Sequence, residues 1–368
     1  MTTIASGFSQ PATAGFGARG TVLASAAQTR DRLDLLTRQA ASGRVADTYG
    51  GLGAGAATSL SLRPAITRIA AFQANIDAVQ GRMAVAQSSL AQISAIAADF
   101  RARTADLNGL STVMIDSVAA AARDALRGVA GLLNARHGDQ YVFAGQDSGT
   151  APVPDAEAIQ SSGFATAIAG AVATLGTNGA AATLSSTLAT ATSNAAGTSP
   201  FSATLSQDPV DLDALRARAP VGDGRSVQVG ILASANTDAR SLGAGSTGSY
   251  ARDILRGLAT LGALSSTQVN QAGFAEIVAD VRAGLEGAIT ALNIDAGVLG
   301  NRQATITDAR ARLDETTTVL RGQVADVEDV DMAEVLSRLS LAQTQLQASY
   351  QLLAGLQGLS LTKFLQAG

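Results

Sequence analysis

The sequence predicts a mainly α-helical protein: a long antiparallel helical hairpin or coiled-coil bundle formed by the N- and C-terminal arms, with a small β-rich or mixed domain inserted between them. Apolar residues recur at alternating spacings of three and four near both ends of the chain, which is the pattern of paired helices. Aromatic residues make up only 4% and charged residues only 15% of the chain. This composition favours narrow, alanine-rich helix seams over a deep mixed core.

The strongest periodic pattern lies in the N-terminal arm. Its apolar residues follow one helix face: Ile69, Phe72, Ile76, Val79, Met83, Ala86, Leu90, Ile93, Ala97 and Phe100. The spacing resumes after Asn108-Gly109, so residues 60–134 are predicted to form one interrupted helix or two helices joined by a short break. A shorter upstream helix is predicted to end near Ser42-Gly43, where glycine can take the left-handed cap conformation.

The C-terminal arm repeats the pattern between Met332 and Leu356, which predicts that the two arms pair. Residues 339–362 carry no charge, but glutamines interrupt this stretch, so we interpret it as a buried helix face rather than a membrane span. A helix that loses its charged face in this way is typical of a segment surrounded by other protein in an assembly. The candidate assembly interface consists of apolar seam positions on both arms: Leu33, Leu36, Ala40, Leu339, Ala342, Leu346, Ser349, Leu353 and Leu356.

The middle of the chain differs in composition. Residues 158–207 contain no charged side chain and are mostly Ala, Ser, Thr, Gly and Asn, with short β-prone runs. Turn residues such as Pro209, Pro220 and Gly222-Asp223-Gly224 separate the short stretches that follow. This punctuation indicates a β-rich or mixed insert.

No residue pattern indicates catalysis, a cofactor or a metal. Cysteine is absent and His137 is the single histidine, which excludes thiol chemistry and leaves too few ligands for a His-based site. The glycine-rich segment 50–55 lacks the strand and lysine of a phosphate-binding loop, so we interpret it as a turn between helices. We interpret the acidic run 326–334 as a solvated helix segment rather than a cation site.

The charge distribution and the N-terminal sequence argue against several partners and against a signal peptide. The formal net charge is −4 and the basic residues are dispersed, so neither nucleic acid nor an anionic membrane is an expected partner. Residues 1–18 have no continuous apolar run of signal-peptide length, so a cleavable secretory signal is not expected. We therefore expect a structural protein and not an enzyme.

Short motifs in both arms resemble those of bacterial flagellins. Residues 39–44, Gln-Ala-Ala-Ser-Gly-Arg, resemble the family's Q-I-A-S-G-(K/R) segment. Gly300-Asn301-Arg302 and residues 327–334, Val-Glu-Asp-Val-Asp-Met-Ala-Glu, resemble its N-R … I-E-D-x-D-x-A-E run. Residues 346–350 resemble its L-Q-A-S segment, and residues 359–365 resemble its L-S-L-L-x-x-L ending.

One further segment bears on the type of flagellin-like protein. Residues 138–145, Gly-Asp-Gln-Tyr-Val-Phe-Ala-Gly, resemble the G-x-Y-(L/V)-F-(A/S)-G signature of hook-associated protein 3, a hook–filament junction protein. The resemblance favours a junction subunit, with a filament-forming flagellin as the alternative. A secreted coiled-coil adaptor or effector would explain the heptads but not the matched motifs. Residues 45–57 depart from the family, because a glycine-rich stretch replaces its usual Asn and Asp-Asp-Pro-Ala loop.

The resemblance implies an extracellular structural subunit of the flagellum, which serves motility. The implied partners are further copies of the chain, other axial proteins (hook-associated proteins and flagellin), an export chaperone and the type III export apparatus. The implied domains are a terminal channel-lining coiled coil (residues 1–45 with 332–368), an α-helical core (46–145 with 255–331) and an outward-facing insert (146–254). Residues 22–43 and 332–364 are implied to be disordered in the monomer and to order on assembly.

Overall fold

The computed structural model describes the backbone of residues 13–107 and 112–365 and, within those ranges, the side chains of residues 20–105, 107, 114–208 and 210–355. The chain forms two compact units, Met1–Arg68 with Glu315–Gly368, and Ile69–Asp314. The described residues are mainly α-helical, which confirms the predicted fold class. The predicted division into three domains stays a prediction.

The described elements follow one another as α1 (Thr13–Ser42), α2 (Gly55–Asp106), α3 (Thr112–Leu133), β1 (Arg136–His137), β2 (Gln140–Tyr141), α4 (Gly163–Ala173), α5 (Leu175–Thr192), α6 (Pro209–Ala214), β3 (Arg218–Gly222), β4 (Arg225–Gln228), α7 (Tyr250–Ala263), α8 (Phe274–Glu328) and α9 (Met332–Leu365). Short 3-10 helices lie at Tyr49–Leu52, Ile159–Ser161 and Ser266–Gln268. The strands form two antiparallel hairpins, β1 with β2 and β3 with β4. Within the predicted helical region 60–134, α2 ends at Asp106 and α3 begins at Thr112. Asn108-Gly109, where the break was predicted, lie outside the described residues.

In the unit Ile69–Asp314, α2 and α8 lie antiparallel. The Gln80 amide nitrogen donates to Thr307 Oγ1 at 3.0 Å, and Ser94 Oγ donates to Asn293 Oδ1 at 3.2 Å, so residue numbers rise along one helix as they fall along the other. The periodic residues of α2 face the core of this unit, and all of them except Phe72 are buried or packed against it. The heptad pattern thus predicted the buried face of α2 correctly.

Helix α7 is buried along its whole length. The Ser249 side chain accepts a hydrogen bond from the Arg252 backbone N–H and caps the helix. Every residue from Tyr250 to Gly262 is buried, including three with charged side chains. Its apolar residues Ile254, Leu258 and Leu261 have helical spacing, but this spacing does not indicate that the polar face of the helix is also covered.

The insert is of the mixed kind, with helix predominating. The uncharged run 158–207 forms α4 and α5 rather than strands, and the β3–β4 hairpin follows it. Within α5, Thr183 Oγ1 donates to Gly179 O at 3.0 Å and Thr187 Oγ1 donates to Leu184 O at 3.0 Å. Because these hydroxyls bond to carbonyls of their own helix, a Thr-rich run can be buried as helix despite its β propensity.

We expect Leu258→Ala to lower the free energy of unfolding of the unit Ile69–Asp314 by about 2–5 kcal/mol, because a fully buried leucine leaves a cavity when truncated. Denaturant unfolding followed by circular dichroism measures the change. Leu242→Ala is the matched control, since Leu242 is 75% exposed, and its effect should stay within about 0.5 kcal/mol. Equal losses in the two variants would contradict the assignment of α7 to the core.

Candidate assembly site

Helices α1 and α9 form an antiparallel pair in the unit Met1–Arg68 with Glu315–Gly368. Leu36, Val335 and Ala342 are buried at the centre of the pair. Further apolar residues pack around them: Leu33, Ala40, Val330 and Leu339. The structure therefore brings together Leu33, Leu36, Ala40, Leu339 and Ala342 of the predicted interface.

The other predicted seam positions lie further along α9. Leu346, Ser349 and Leu353 are half-buried and continue the helix face of Ala342. The side chain of Leu356 lies outside the described residues. Where they are described, the predicted interface residues line a seam between two helices of one chain, and their role between subunits stays a prediction.

A second group of apolar side chains on α1 and α9 is exposed, by between 40% and 63%. This outer apolar set consists of Leu23, Leu35, Met332, Leu336, Leu341, Tyr350 and Leu352. Sequence reasoning placed Met332 at the start of the seam pattern, but the residue is 40% exposed. It missed the others, because a heptad pattern selects a single face of each helix. For Leu341, Tyr350 and Leu352 the available signal was the uncharged stretch 339–362, which leaves apolar residues on the remaining faces without charged neighbours.

Two of the motif segments meet where α1 ends and α9 begins. Gly43 has a φ of +71°, a conformation that favours glycine, and its N–H donates to Gln39 O at 2.8 Å to close α1. The Gly43 carbonyl then accepts from Val330 N–H at 3.0 Å. Arg44 and Asp329 form an isolated antiparallel bridge beside it. The backbone of one motif is thus hydrogen-bonded to the backbone of the other.

Glu328 is a buried anion at this corner and is only 7% exposed. Its carboxylate accepts hydrogen bonds from Arg63 Nε at 3.0 Å and from Ser59 Oγ, and its backbone carbonyl accepts from Val45 N–H at 2.7 Å. The hydrogen bonds from Arg63 and then Ser59 hold the pKa of Glu328 below its usual range. For Glu328, the interpretation of a solvated acidic run is wrong, since donors from α2 replace its water.

Further contacts lie at the start of α9 and in the segment between α1 and α2. Asp331 Oδ1 accepts from the backbone N–H of Ala333 at 2.9 Å and of Glu334 at 3.2 Å, which caps α9. The glycine-rich segment 50–55, predicted to be a turn between helices, forms the end of a short 3-10 helix and a turn between α1 and α2. At its end a Cβ on Gly55 would lie 2.3 Å from Val327 Cγ1, so a larger residue there would have to displace the Val327 side chain.

The signature-like segment 138–145 lies in the unit Ile69–Asp314, where its second half is buried. The Phe143 side chain is fully buried, and its carbonyl accepts from Ala233 N–H at 3.0 Å. Gly145 has a φ of +65°, and a Cβ there would lie 2.5 Å from the Leu215 carbonyl oxygen. Its residues thus anchor the end of the β1–β2 hairpin to the rest of the unit.

Within the described residues, no group of three or more His, Asp or Glu side chains is arranged to hold a metal ion. His137 is exposed on β1, and its ring covers Gly81 of α2. No helix in the described part of the chain is long and apolar enough to cross a membrane.

We expect Glu328→Gln to destabilise the unit Met1–Arg68 with Glu315–Gly368 at neutral pH. The lowered pKa of Glu328 means that its contribution is present above the ordinary glutamate value of 4.5 and is lost as pH falls through the folded-state value. The stability difference between wild type and variant should therefore shrink as the pH falls from the ordinary value of 4.5 through the lowered folded-state pKa. Urea unfolding across this range measures it.

Glu334→Gln is the control for that series. Glu334 is exposed and pairs only with Arg338, one helical turn away. This variant should differ little from wild type at any pH. A constant gap between wild type and Glu328→Gln down to pH 3 would contradict the role assigned to the Glu328 charge.

Comparison with known families bears on this arrangement. Residues 18–148 match the bacterial flagellin N-terminal helical region, and residues 283–365 match the bacterial flagellin C-terminal helical region. Comparison with curated proteins finds no match. The matched regions include α1 and α9, and the pair of matches favours this family over a secreted adaptor. The chain belongs to the bacterial flagellin family and is a structural, non-enzymatic subunit of the extracellular flagellum that polymerises through its terminal helices.

Proposed function

We propose that the chain acts at the junction between the flagellar hook and the filament. The observation that carries the proposal is the segment 138–145, which resembles the junction-protein signature. Phe143, Ala144 and Gly145 within it each make contacts that depend on their residue type, through burial or close backbone approach. These contacts give a structural reason for the residue types that carry the resemblance.

The alternative is a filament-forming flagellin. Both types share the terminal helical regions, so the matches at residues 18–148 and 283–365 support either position in the flagellum. A junction subunit forms a short ring, whereas a filament flagellin polymerises along the whole filament.

Electron microscopy of flagella from a deletion strain of the source bacterium tests the proposal. We expect hooks without filaments in that strain, and in the complemented strain an immunolabel confined to a narrow band at the hook tip. Label along the filament would instead identify a filament flagellin. Unaltered flagella in the deletion strain would contradict both positions.

For assembly we propose two separate roles for the apolar residues of α1 and α9. The seam residues, with Leu36 and Ala342 at their centre, pair the two helices of one subunit. The outer apolar set contacts neighbouring subunits, because exposed leucines gain free energy when another protein covers them. The partners in this proposal are further copies of the chain and the hook-associated proteins or flagellin that adjoin it.

The proposal also covers the export of the subunit and its division into domains. The subunit is exported by the flagellar type III apparatus with the help of an export chaperone, without cleavage of a signal peptide. Residues 1–45 with 332–368 form the assembly domain, residues 46–145 with 255–331 the α-helical core, and residues 146–254 the outward-facing insert. In this proposal residues 22–43 and 332–364 are disordered in the monomer and become ordered on assembly. Limited proteolysis of the monomer tests this, because protection of these segments would contradict it.

We expect Leu341→Asp and Leu352→Asp to abolish polymerisation while leaving the helix content of the monomer unchanged, because both leucines are more than half exposed on α9. Sedimentation measures polymer, and circular dichroism measures fold. Leu242→Asp is the matched control, since this exposed leucine lies outside both family-matched regions. Normal polymerisation of the α9 variants would contradict the role of the outer apolar set.

A further inference from the structure

We propose that a cavity in the unit Ile69–Asp314 binds the carboxylate end of a small acidic saccharide. The cavity has a volume of about 370 Å³, within the range of about 300–1,000 Å³ that is usual for ligand pockets. It lies where the end of α5, the start of α7 and the loop between β4 and α7 come together. The lining residues that matter are Asn194, Gln207, Ser234, Arg240 and Arg252.

Arg252 is a buried cation without a carboxylate partner among the described residues. It is 7% exposed and donates to neutral acceptors: Ala191 O at 2.9 Å, Asn194 Oδ1 at 2.7 Å and, more weakly, Ser234 O at 3.3 Å and Ser193 O at 3.4 Å. The guanidinium carbon also lies 5.1 Å from the centre of the Phe201 ring. These bonds fix the guanidinium in place at the end of α5. Burial lowers the pKa of Arg252, and the nearby charge of Asp253 opposes this shift without forming an ion pair with the guanidinium. An anion in the cavity would give the guanidinium a directly bonded charged partner.

Two further polar groups at the cavity lack partners within the described part of the chain. Arg240 is exposed and forms no ion pair there, and its guanidinium nitrogens lie near Gly248 on the cavity wall. Ser234 is 3% exposed, and its Oγ has no hydrogen-bond partner. Unpaired buried hydroxyls are uncommon in folded proteins because they cost free energy. Arg240 is accessible to a polar ligand in the cavity, whereas Ser234 Oγ is covered and would need a rotamer change to reach one.

The carboxylates around the cavity are already engaged. Asp238 lines it, and its Oδ2 is paired with Arg302 at 2.8 Å. Asp295 accepts three backbone N–H bonds from residues 237–239. Asp253 accepts hydrogen bonds from the adjacent loop. The two arginines at the cavity are thus the groups with spare capacity, and the cavity suits an anion.

The lining indicates which anion. A guanidinium matches a planar carboxylate with two parallel hydrogen bonds, and the exposed fork of Arg240 is free to adopt that geometry. The rest of the wall includes the amide of Gln207 and the hydroxyl-bearing residues Thr247 and Ser249, which suit an uncharged body with several hydroxyls. A carboxylate on a polyhydroxylated ring, as in a hexuronate, combines both features.

Titration calorimetry of the purified full-length subunit with D-glucuronate tests the inference, with D-glucose and inorganic sulfate as comparison ligands. We expect saturable binding of glucuronate and much weaker binding of the other two. Arg240→Gln should weaken glucuronate binding by about tenfold or more, the usual effect of losing a hydrogen bond to a charged group. Since Arg240 is exposed, this variant should keep the wild-type melting curve.

Arg282→Gln is the matched control, because Arg282 is an exposed arginine of α8 in the same unit and does not line the cavity. It should bind glucuronate as wild type does. No measurable glucuronate binding, equal binding of glucose or sulfate, or an unchanged affinity in Arg240→Gln would each overturn the inference. None of these outcomes depends on whether the subunit lies at the junction or in the filament.

Discussion

The burial of one apolar face between two long antiparallel helices is the constraint on which both units of this chain depend. In the unit Ile69–Asp314 the seam between α2 and α8 buries residues such as Leu90 and Ile306 completely, and polar pairs at its edge set the register. Sliding one helix by a single residue would rotate its apolar stripe away from the partner. Long helices paired in this way therefore fix the alignment of sequence positions that lie far apart.

The corner formed by the motif segments adds a second constraint. Seams built from Leu, Val and Ala tolerate a shift of one heptad, because the next turn presents similar side chains. Glu328 does not tolerate such a shift, since its buried carboxylate needs Arg63 and Ser59 at one position of α2. Removing one partner of a buried charge is costly, so this group penalises other registers even where its net contribution to stability is small.

The sequence predicted those parts of the fold that rest on local periodicity. The buried face of α2, the end of α1 at Gly43 and the pairing of the arms all follow from spacing and from the conformational freedom of glycine. Glu328 could not be predicted, because Arg63 lies 265 positions away. The helical state of α5 was missed for a related reason: tertiary burial overrides the propensity of Thr-rich segments.

The two apolar surfaces of α1 and α9 bear differently on polymerisation. Leu36 and Ala342 at the centre of the seam are buried within one subunit, so their side chains have little surface left for a neighbour. Polymerisation through these helices therefore requires other apolar surface, and the described chain has it in the outer apolar set. Exposed leucines favour association, and the uncharged stretch that begins at residue 339 adds no like-charge repulsion between copies. Pairing within the subunit presents this set on two adjacent helices, so folding of the terminal pair creates the surface that a neighbouring subunit can cover.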